Sequence, residues 1–523
     1  MKILITITIV SASLTICLFL ASGHGQRQKE IKQGTRERRT SASATIPVKK
    51  GENLQKAIDQ AQYGDTIVLE PGVTYRGPII LPYKDQQTDK YVTITTSDSS
   101  TLPPANERVV PERHAQAMPK IIAPDNGVAV GTAEQAHHYQ FIGIEFAPDP
   151  DARYLYNLID LGRSDYKSLS QFPHDLIFDR CYIHSTGLNK ARRGVGLNSG
   201  GTSIINSHIS GFAGVEDETQ GLCGWNGPGP FHIVNNYIEG GTQNIMFGGA
   251  DPAVPNLVPS GIEIRKNFLY KPPEWYGRAS IKATIELKNA RNVVIDGNVL
   301  ECAGLNATFV LTVRNQNGAA PWSILEDITV TNNIVRHSGM GFNILGSDTE
   351  HHSQQAKRIR IANNLLVDLV PDYSAVFIAG CCADTVTVEN NTVQQTGNIM
   401  TCYGPPSSNF VFRSNIVQYN SYGFACPANA LSVDSRGNII ADNSGAIAAN
   451  GSPANIPRNN LFVSSYNQVG FVDVTNGDWR LSPQSKIRRK GVDGSEPGVN
   501  FEALEAAVAT SDVEPPYFGK KRK

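Results

Sequence analysis

The chain has 523 residues, 40% hydrophobic and 18% charged. That composition supports a large core and excludes a disordered chain. A net charge of −1 gives no global attraction to nucleic acid or to an acidic membrane surface.

Lys2, the apolar run from Ile3 to Leu20 and the small residues of "ASGHGQ" read as a secretory signal over residues 1–25. A retained anchor is the alternative, because the run is near the minimum length for a span. With the signal removed no stable membrane insertion is expected, and the protein is expected to be secreted, periplasmic or at the cell surface. Residues 26–45 form a basic polar linker. Next, "GENLQKAIDQAQYGD" (51–65) places Leu54, Ala57, Ile58 and Ala61 on one helical face, with Gly64 to end it. "TIVLEPGVTY" follows as strand, turn, strand. Residues 83–120, rich in Pro and charge, read as an inserted excursion.

From residue 178 a six-residue pattern recurs: "FDRCYI", "IINSHI", "IVNNYI", "IRKNFL", "IDGNVL", "VTNNIV", "IANNLL", "VENNTV" and "FRSNIV". Its fourth position is Cys181, Ser207, then Asn236, Asn267, Asn298, Asn333, Asn364, Asn391 and Asn415, with looser copies at Asn438 and Asn460. The steps are 22 to 35 residues. A sustained period of this size, filled with short β-rich runs and Gly/Asn turns, predicts a parallel β-helix solenoid. Asn tolerates the left-handed backbone of a sharp turn. Identical amides on successive coils, about 4.8 Å apart, can bond as a ladder. The helix at 54–61 is the expected N-terminal cap, and "FVDVTNGDWRLSPQS" (471–485) the last coil and C-terminal cap. The β-helix domain is thus expected over 46–505, with a tail at 506–523 and no second domain.

The strings "LQKAIDQAQYGDTIVLEPGVTYRG" and "NGDWRLSPQSKIRRKG", with the Asn-turn coils between them, resemble the right-handed parallel β-helix proteins of the pectin lyase-like superfamily. That resemblance implies an all-β fold and a secreted polysaccharide-active protein. It carries no catalytic residue across. The "NTD", "DD", "GHG" and "RIK" blocks of polygalacturonases are missing as a set, as are the pectin esterase blocks, and fold alone does not give function.

Each coil has a further strand between Asn turns, including "ETQGLCGW", "TQNIMFGG", "TIELKN", "VLTVRN" and "GFNILG". Alternation places Ile285 and Leu287 inward and Glu286 and Lys288 outward. Leu222 is taken as inward and Glu218 and Gln220 as outward. Asn198, Asn244, Arg314 and Asn343 complete one outer strip. Insertions bring Trp225, Trp275 and Trp322 near it, and aromatic faces suit sugar rings. The strip and its loops are the expected polysaccharide groove, on a chain expected to be a monomer.

Three chemistries fit such a strip. A uronate lyase needs a base and a cation. Lys288 would be the base and Arg314 the charge neutraliser, with Glu218 or Glu286 helping to hold Ca²⁺. An inverting glycoside hydrolase would use Glu218 and Glu286, on coils two apart. A non-catalytic carbohydrate-binding or cell-surface β-helix would use the strip for recognition alone. The bland alternative is a solvated ladder of charge pairs. The lyase of an acidic polysaccharide is the favoured reading.

Histidines carry less. His137/His138 and His351/His352 are adjacent pairs, and strand neighbours face opposite ways, so neither pair is expected to bind a metal. Seven cysteines follow the signal, without a paired CxxC, so no zinc site is expected. At least one should be a free thiol. Cys402 and Cys426 lie one coil apart, where a disulfide or a buried thiol ladder is feasible.

Overall fold

The computed structural model describes residues 43–86, 88–302, 306–371, 375–427, 434–441 and 459–509. The expected signal, most of the linker and most of the expected tail lie outside the described residues. Among the described residues no helix is long and apolar enough to cross a membrane.

A complete coil contributes three short strands. One coil is Gly229–Val234, Tyr237–Glu239 and Gln243–Phe247; the next is Ser260–Arg265, Phe268–Lys271 and Ala283–Leu287. Among the described residues, first and second strands join a 27-stranded sheet, third strands a 12-stranded one, and coil pairs with coil in parallel. Inward side chains stack in register. Ile204, Ile233, Ile264, Ile295, Val330, Ile361 and Val388 form one buried column. Phe309, Phe342 and Phe377 form another, with ring centroids 4.6 and 5.5 Å apart. The chain is therefore a parallel β-helix, as its repeat predicts.

The asparagine ladder forms between the first and second strands. Asn267 Oδ1 accepts from the backbone N–H of Asn236 at 2.9 Å and from its Nδ2 at 3.0 Å. Asn267 Nδ2 donates to Ile233 O at 2.8 Å and to Asn298 Oδ1 at 3.0 Å. The same exchange continues through Asn333, Asn364, Asn391, Asn415 and Asn438 to Asn460. Ser207 and Cys181 carry it back toward the N-terminus. One detail differs from expectation. The left-handed residue is the one before the rung along most of the ladder: Asn206, Asn235, Lys266, Gly297, Asn332, Asn363, Asn390 and Ser414 all have positive φ. The amide of the rung reaches both neighbouring coils.

The helix Leu54–Gln60 forms, with the Asn53 side chain accepting from Lys56 N–H. Leu54, Ala57 and Ile58 are buried in the main core. Gln55 also satisfies an edge strand, accepting from Ile80 N–H at 2.7 Å and donating to Ile80 O at 2.8 Å. The supposed excursion at 83–120 is narrower than expected, because Val92–Thr96 is a regular first strand paired with Thr66–Leu69. The "FVDVTNGDWRL" segment is not a coil. Phe471–Asp473 and Asp478–Leu481 form an antiparallel hairpin. Beyond it the chain runs back along the second strands, where Val499 N–H donates to Thr392 Oγ1, Asn500 N–H to Asn363 Oδ1, and Leu504 and Val508 join Phe268, Val299, Ile334 and Leu365 in a second apolar cluster. The periodic sequence ends before this return, so nothing periodic announced it. Cys402–Cys426 is a disulfide between neighbouring coils, Cys381–Cys382 is a disulfide of sequence neighbours, and Cys181 and Cys223 are free and buried.

Removing one rung should be costly. Asn298→Ala leaves the amide and N–H of Asn267 and the carbonyl of Ile264 without their partners in a dry interior. The expected loss is about 3 kcal/mol, read as a lowered midpoint in chemical denaturation. A loss well under about 1 kcal/mol would show that the ladder decorates the fold rather than fixing it.

Candidate active site

Alternation along the third strands is broken once, at the same place on successive coils. Asn244 and Ile245 are both buried, as are Thr284 and Ile285, and Thr308 and Phe309. These pairs are in register. The strand bends as it leaves the corner, so two successive side chains face inward. Asn244 Nδ2 accordingly donates to the carbonyls of Ile238 at 2.7 Å and Tyr270 at 2.9 Å, inside the coil. Asn244 is therefore not on the outer strip, contrary to expectation. Asn198 is also elsewhere. Its Oδ1 accepts from Trp225 and Asn226 N–H in a turn.

The remaining outward positions form two rows. Arg193, Gln220, Gln243 and Ala283 align before the bend. Asp160, Gly196, Cys223, Met246, Glu286, Val310 and Asn343 align after it. The first row feeds the second through a buried relay. Arg193 Nε donates to Gln220 Oε1 at 2.8 Å, Gln220 Nε2 to Gln243 Oε1 at 2.9 Å, and Gln243 Nε2 to Glu286 Oε2. The Arg193 guanidinium lies 4.7 Å from the ring centre of Tyr156 and 5.1 Å from that of Trp225.

Glu286 is the convergence point. Its side chain is only 2% exposed, with Lys282 Nζ at 3.6 Å and Lys288 Nζ at 3.7 Å. Lys282 Nζ also lies 3.4 Å from Glu218. The Lys288 side chain is 12% exposed and held beside the carboxylate at ion-pair distance, longer than a hydrogen bond. Gly248 makes the approach possible, because a Cβ there would come to 2.7 Å from Lys288 Cβ. Arg314 sits on the next coil, its N–H bonded to Lys288 O at 2.9 Å. Its guanidinium, 31% exposed, turns to Asp348 at 3.0 Å rather than to Glu286. Asp348 also accepts from the N–H groups of Asn315 and Glu350, and these bonds with Arg314 hold its carboxyl below the usual range despite burial. Asn343 Oδ1 and Arg193 Nη1 are buried on this face without a hydrogen-bond partner.

Two walls bound the strip. On the side where third strands begin, the loop carrying Trp275 and the exposed Tyr276 is tied to the loop of Glu218: Ser280 N–H donates to Gly214 O and its hydroxyl to Val215 O. On the side where they end, Trp322 Nε1 donates to Leu257 O at 3.0 Å, and Asp251 accepts from Asn317 and Ala319 N–H. Trp275 and Trp322 thus stand on opposite rims. Trp225 is buried against Cys223 and Met246 and supports Arg193 from beneath.

The strip thus unites Glu286, Lys288, Glu218, Gln220 and Asn343, with Arg314 alongside. Sequence reasoning missed Arg193, Gln243, Lys282, Asp160 and Asp348. A signal was present for two of these: Arg193 and Gln243 are polar in the inward phase of Val195 and Ile245, on nearby coils, and mark the bend. The site's residues do not fit a Ca²⁺ cage. The positive charge between Glu218 and Glu286 is the Lys282 ammonium, and these carboxylates have no third acidic or carbonyl ligand converging with them among the described contacts.

No protein-family model matches the chain, and no curated protein sequence matches it. Among solved structures it is similar to the PL6 family alginate lyase AlyGC, at 13% identity and a TM-score of 0.53, over 92% of this chain and 59% of that one. The chain thus spans less than two thirds of that enzyme. A mannuronic acid specific family 6 polysaccharide lyase from human gut microbiota aligns at 11% identity and TM-score 0.47, over 89% of this chain and 98% of that one. The pectate lyase Pel9A aligns at 14% identity and TM-score 0.32, over 88% and 97%. The chain has the right-handed β-helix, pectin lyase-like fold. At such identities the likeness concerns fold, and chemistry must come from the site.

Asp160 gives a prediction. Its carboxylate lies over Gly196, where a Cβ would come to 2.7 Å, and burial pushes it up to about 6. A raised folded-state value means that the native state binds the proton more tightly than the unfolded chain. This contribution to stability is present below the unfolded value near 4 and is lost as pH rises through about 6. Asp160→Asn should remove that pH dependence and be the more stable form at pH 8, on the order of 2 kcal/mol. Parallel denaturation curves for both proteins from pH 4 to 8 test it, and equal slopes would refute it.

Proposed function

We propose that the protein is a polysaccharide lyase that cleaves an acidic, uronate-containing polymer along the outer face of the third strands. The observation that supports this reading is the placement of Lys288, tethered by a buried Glu286, beside Arg314 on the next coil. Lyase chemistry removes the proton next to a uronate carboxylate and expels the glycosidic oxygen one carbon further on. Neutralising the carboxylate makes that proton acidic, and a nearby base takes it. Arg314 is the neutraliser, since only part of its five-donor fork is engaged by Asp348. Lys288 is the base. Glu286 acts through Lys288 as a positioning residue, and the Arg193–Gln220–Gln243 relay fixes Glu286.

A uronate chain finds cations along the strip at Lys282 and Arg314. Tyr156, Tyr276 and Trp275 offer ring faces at the rims. The hydrolase alternative is weaker. Glu218 and Glu286 share Lys282, which brings their oxygens within about 7 Å, close enough for a pair of catalytic carboxyls. The ammonium, however, occupies the space where the glycosidic oxygen and water would sit. The apolar run at 3–20 supports action outside the cytoplasm.

The decisive experiment incubates the purified protein with alginate, polymannuronate, pectate and neutral glucans and follows the absorbance of unsaturated chain ends. An acidic polymer should give that signal. Lys288→Ala and Arg314→Ala should each lower the rate by about 10²-fold or more. Glu286→Gln should lower the turnover more than the apparent affinity. Reducing ends without unsaturation would favour the hydrolase, and binding without any product a non-catalytic carbohydrate-binding β-helix. Activity untouched by both Ala variants would place the chemistry elsewhere.

A further inference from the structure

Three histidines and an aspartate meet on the early coils, away from the strip. His137 begins the strand His137–Ile142, His174 begins His174–Asp179, and the two are partners in parallel register. Their rings stack with centroids 5.0 Å apart and planes within 3°. The residues after them, His138 and Asp175, have φ of 55° and 53°. Strict alternation sends His138 to the opposite face from His137. The left-handed backbone cancels that rule and brings both rings to one side. His137 Nδ1 and His138 Nδ1 are therefore 2.8 Å apart. His174 Nδ1 lies 2.6 Å from Asp175 Oδ2, and His138 Nδ1 lies 3.8 Å from that same oxygen.

The geometry points to a site for one divalent transition metal, Zn²⁺ by preference, held by His138, His174 and Asp175 with a fourth position open to solvent. One ligand atom from each residue lies within 4.8 Å of the other two. Tetrahedral zinc with bonds of about 2.0–2.2 Å places its ligand atoms about 3.3 Å apart, so small side-chain rotations complete the set. Room for rotation exists. The next coil carries Gly201 here, at φ 46°, where a Cβ would come to 3.0 Å from the Asp175 carboxylate. A cleft of about 480 Å³, lined by Tyr83, Gln135, His137, His138, Phe172 and His174, leads to the cluster.

The chemistry selects the metal. Imidazole ligands with one carboxylate suit zinc, nickel or copper, whereas Ca²⁺ and Mg²⁺ prefer all-oxygen cages. His137 packs beside His138, within 3.1 Å of the Tyr63 hydroxyl, and limits how far that ring can turn. The position also has a structural logic. The first rung of the amide ladder is an Asn at 236, and the metal would tie the coil of His138 to the coil of Asp175 upstream of it.

Titration of the full chain, stripped with chelator and dialysed, tests this by calorimetry. One Zn²⁺ per chain is expected, with a rise in thermal midpoint and no comparable heat from Ca²⁺. Asp175→Asn keeps a residue that accepts the left-handed backbone. It and His174→Ala should each weaken Zn²⁺ binding by about tenfold or more and abolish the thermal shift. Both variants should keep the far-ultraviolet spectrum of the parent, and His232→Ala should bind normally. Co²⁺ gives a second readout, since its visible bands should appear with the parent and disappear with His174→Ala. No Zn²⁺ binding, Zn²⁺ binding unchanged in both ligand variants, or equally tight Ca²⁺ binding would each overturn the assignment.

Discussion

The amide ladder is the interaction on which the rest of the molecule depends. Each rung gives its two Nδ2 hydrogens and receives two at Oδ1, so a shift of register by one residue would bury several unpaired polar groups at once. Register is thereby fixed at one corner of every coil. Loops can then vary without displacing the strands. The coil from Asn236 to Asn267 carries the loop at 248–259, and that from Asn267 to Asn298 carries the loop at 272–282, yet Ile245 still faces Ile285. Functional walls can be built from such insertions because the ladder absorbs no error from them.

The candidate site lies on the third strands, which have no such ladder. Their polar order comes from a different device, the chain from Arg193 through Gln220 and Gln243 to Glu286. The contrast with other charge pairs on the solenoid separates site from scaffold. On the first-strand face Glu389 is gripped by Arg360 and Arg413 at 2.9 and 2.8 Å, and Glu326 gathers Arg291, Lys357 and Arg358. The contacts of those cations are mostly direct. They are the solvated charge ladder expected of an outward face. Glu286 is buried, bonded to a carboxamide, and keeps both lysines at 3.6 and 3.7 Å. A carboxylate that orders its lysines without capturing them leaves Lys282 available to a second anion.

Legibility in the sequence followed the range over which one local rule governs. The rungs, the inward columns and the outward placement of Glu286 and Lys288 obey a period of two or of one coil, and were readable. Asn244 was misplaced because alternation breaks at the corner, where Asn244 turns inward beside Ile245 while Gln243 turns outward to Glu286. His138 was misplaced because alternation assumes an extended backbone, and its φ is left-handed. The same turn recurs at Asp175, Gly201, Gly261, Asn292, Asp327, Arg358 and Thr385. That series mixes residue types, so it leaves no signature comparable to the asparagines. Arg314 was correctly put beside Lys288, but its tie to Asp348 spans 34 residues and one coil, and no periodic pattern encodes it.

These exceptions share a cause that bears on where function can arise in such a fold. A solenoid that repeated perfectly would present identical environments on every coil, and an extended face of equal charges binds without discrimination. Chemistry needs one place where neighbours differ. Here the difference arises where local rules fail: at the bend that lets Gln243 and Glu286 meet across rows, and at the left-handed residues that bring His138 and Asp175 to one side. Backbone departures of this kind are tolerable only because the ladder holds the coil elsewhere. The regular part of the sequence therefore makes the irregular part affordable, and the search for function in a β-helix should begin at the positions that break its period.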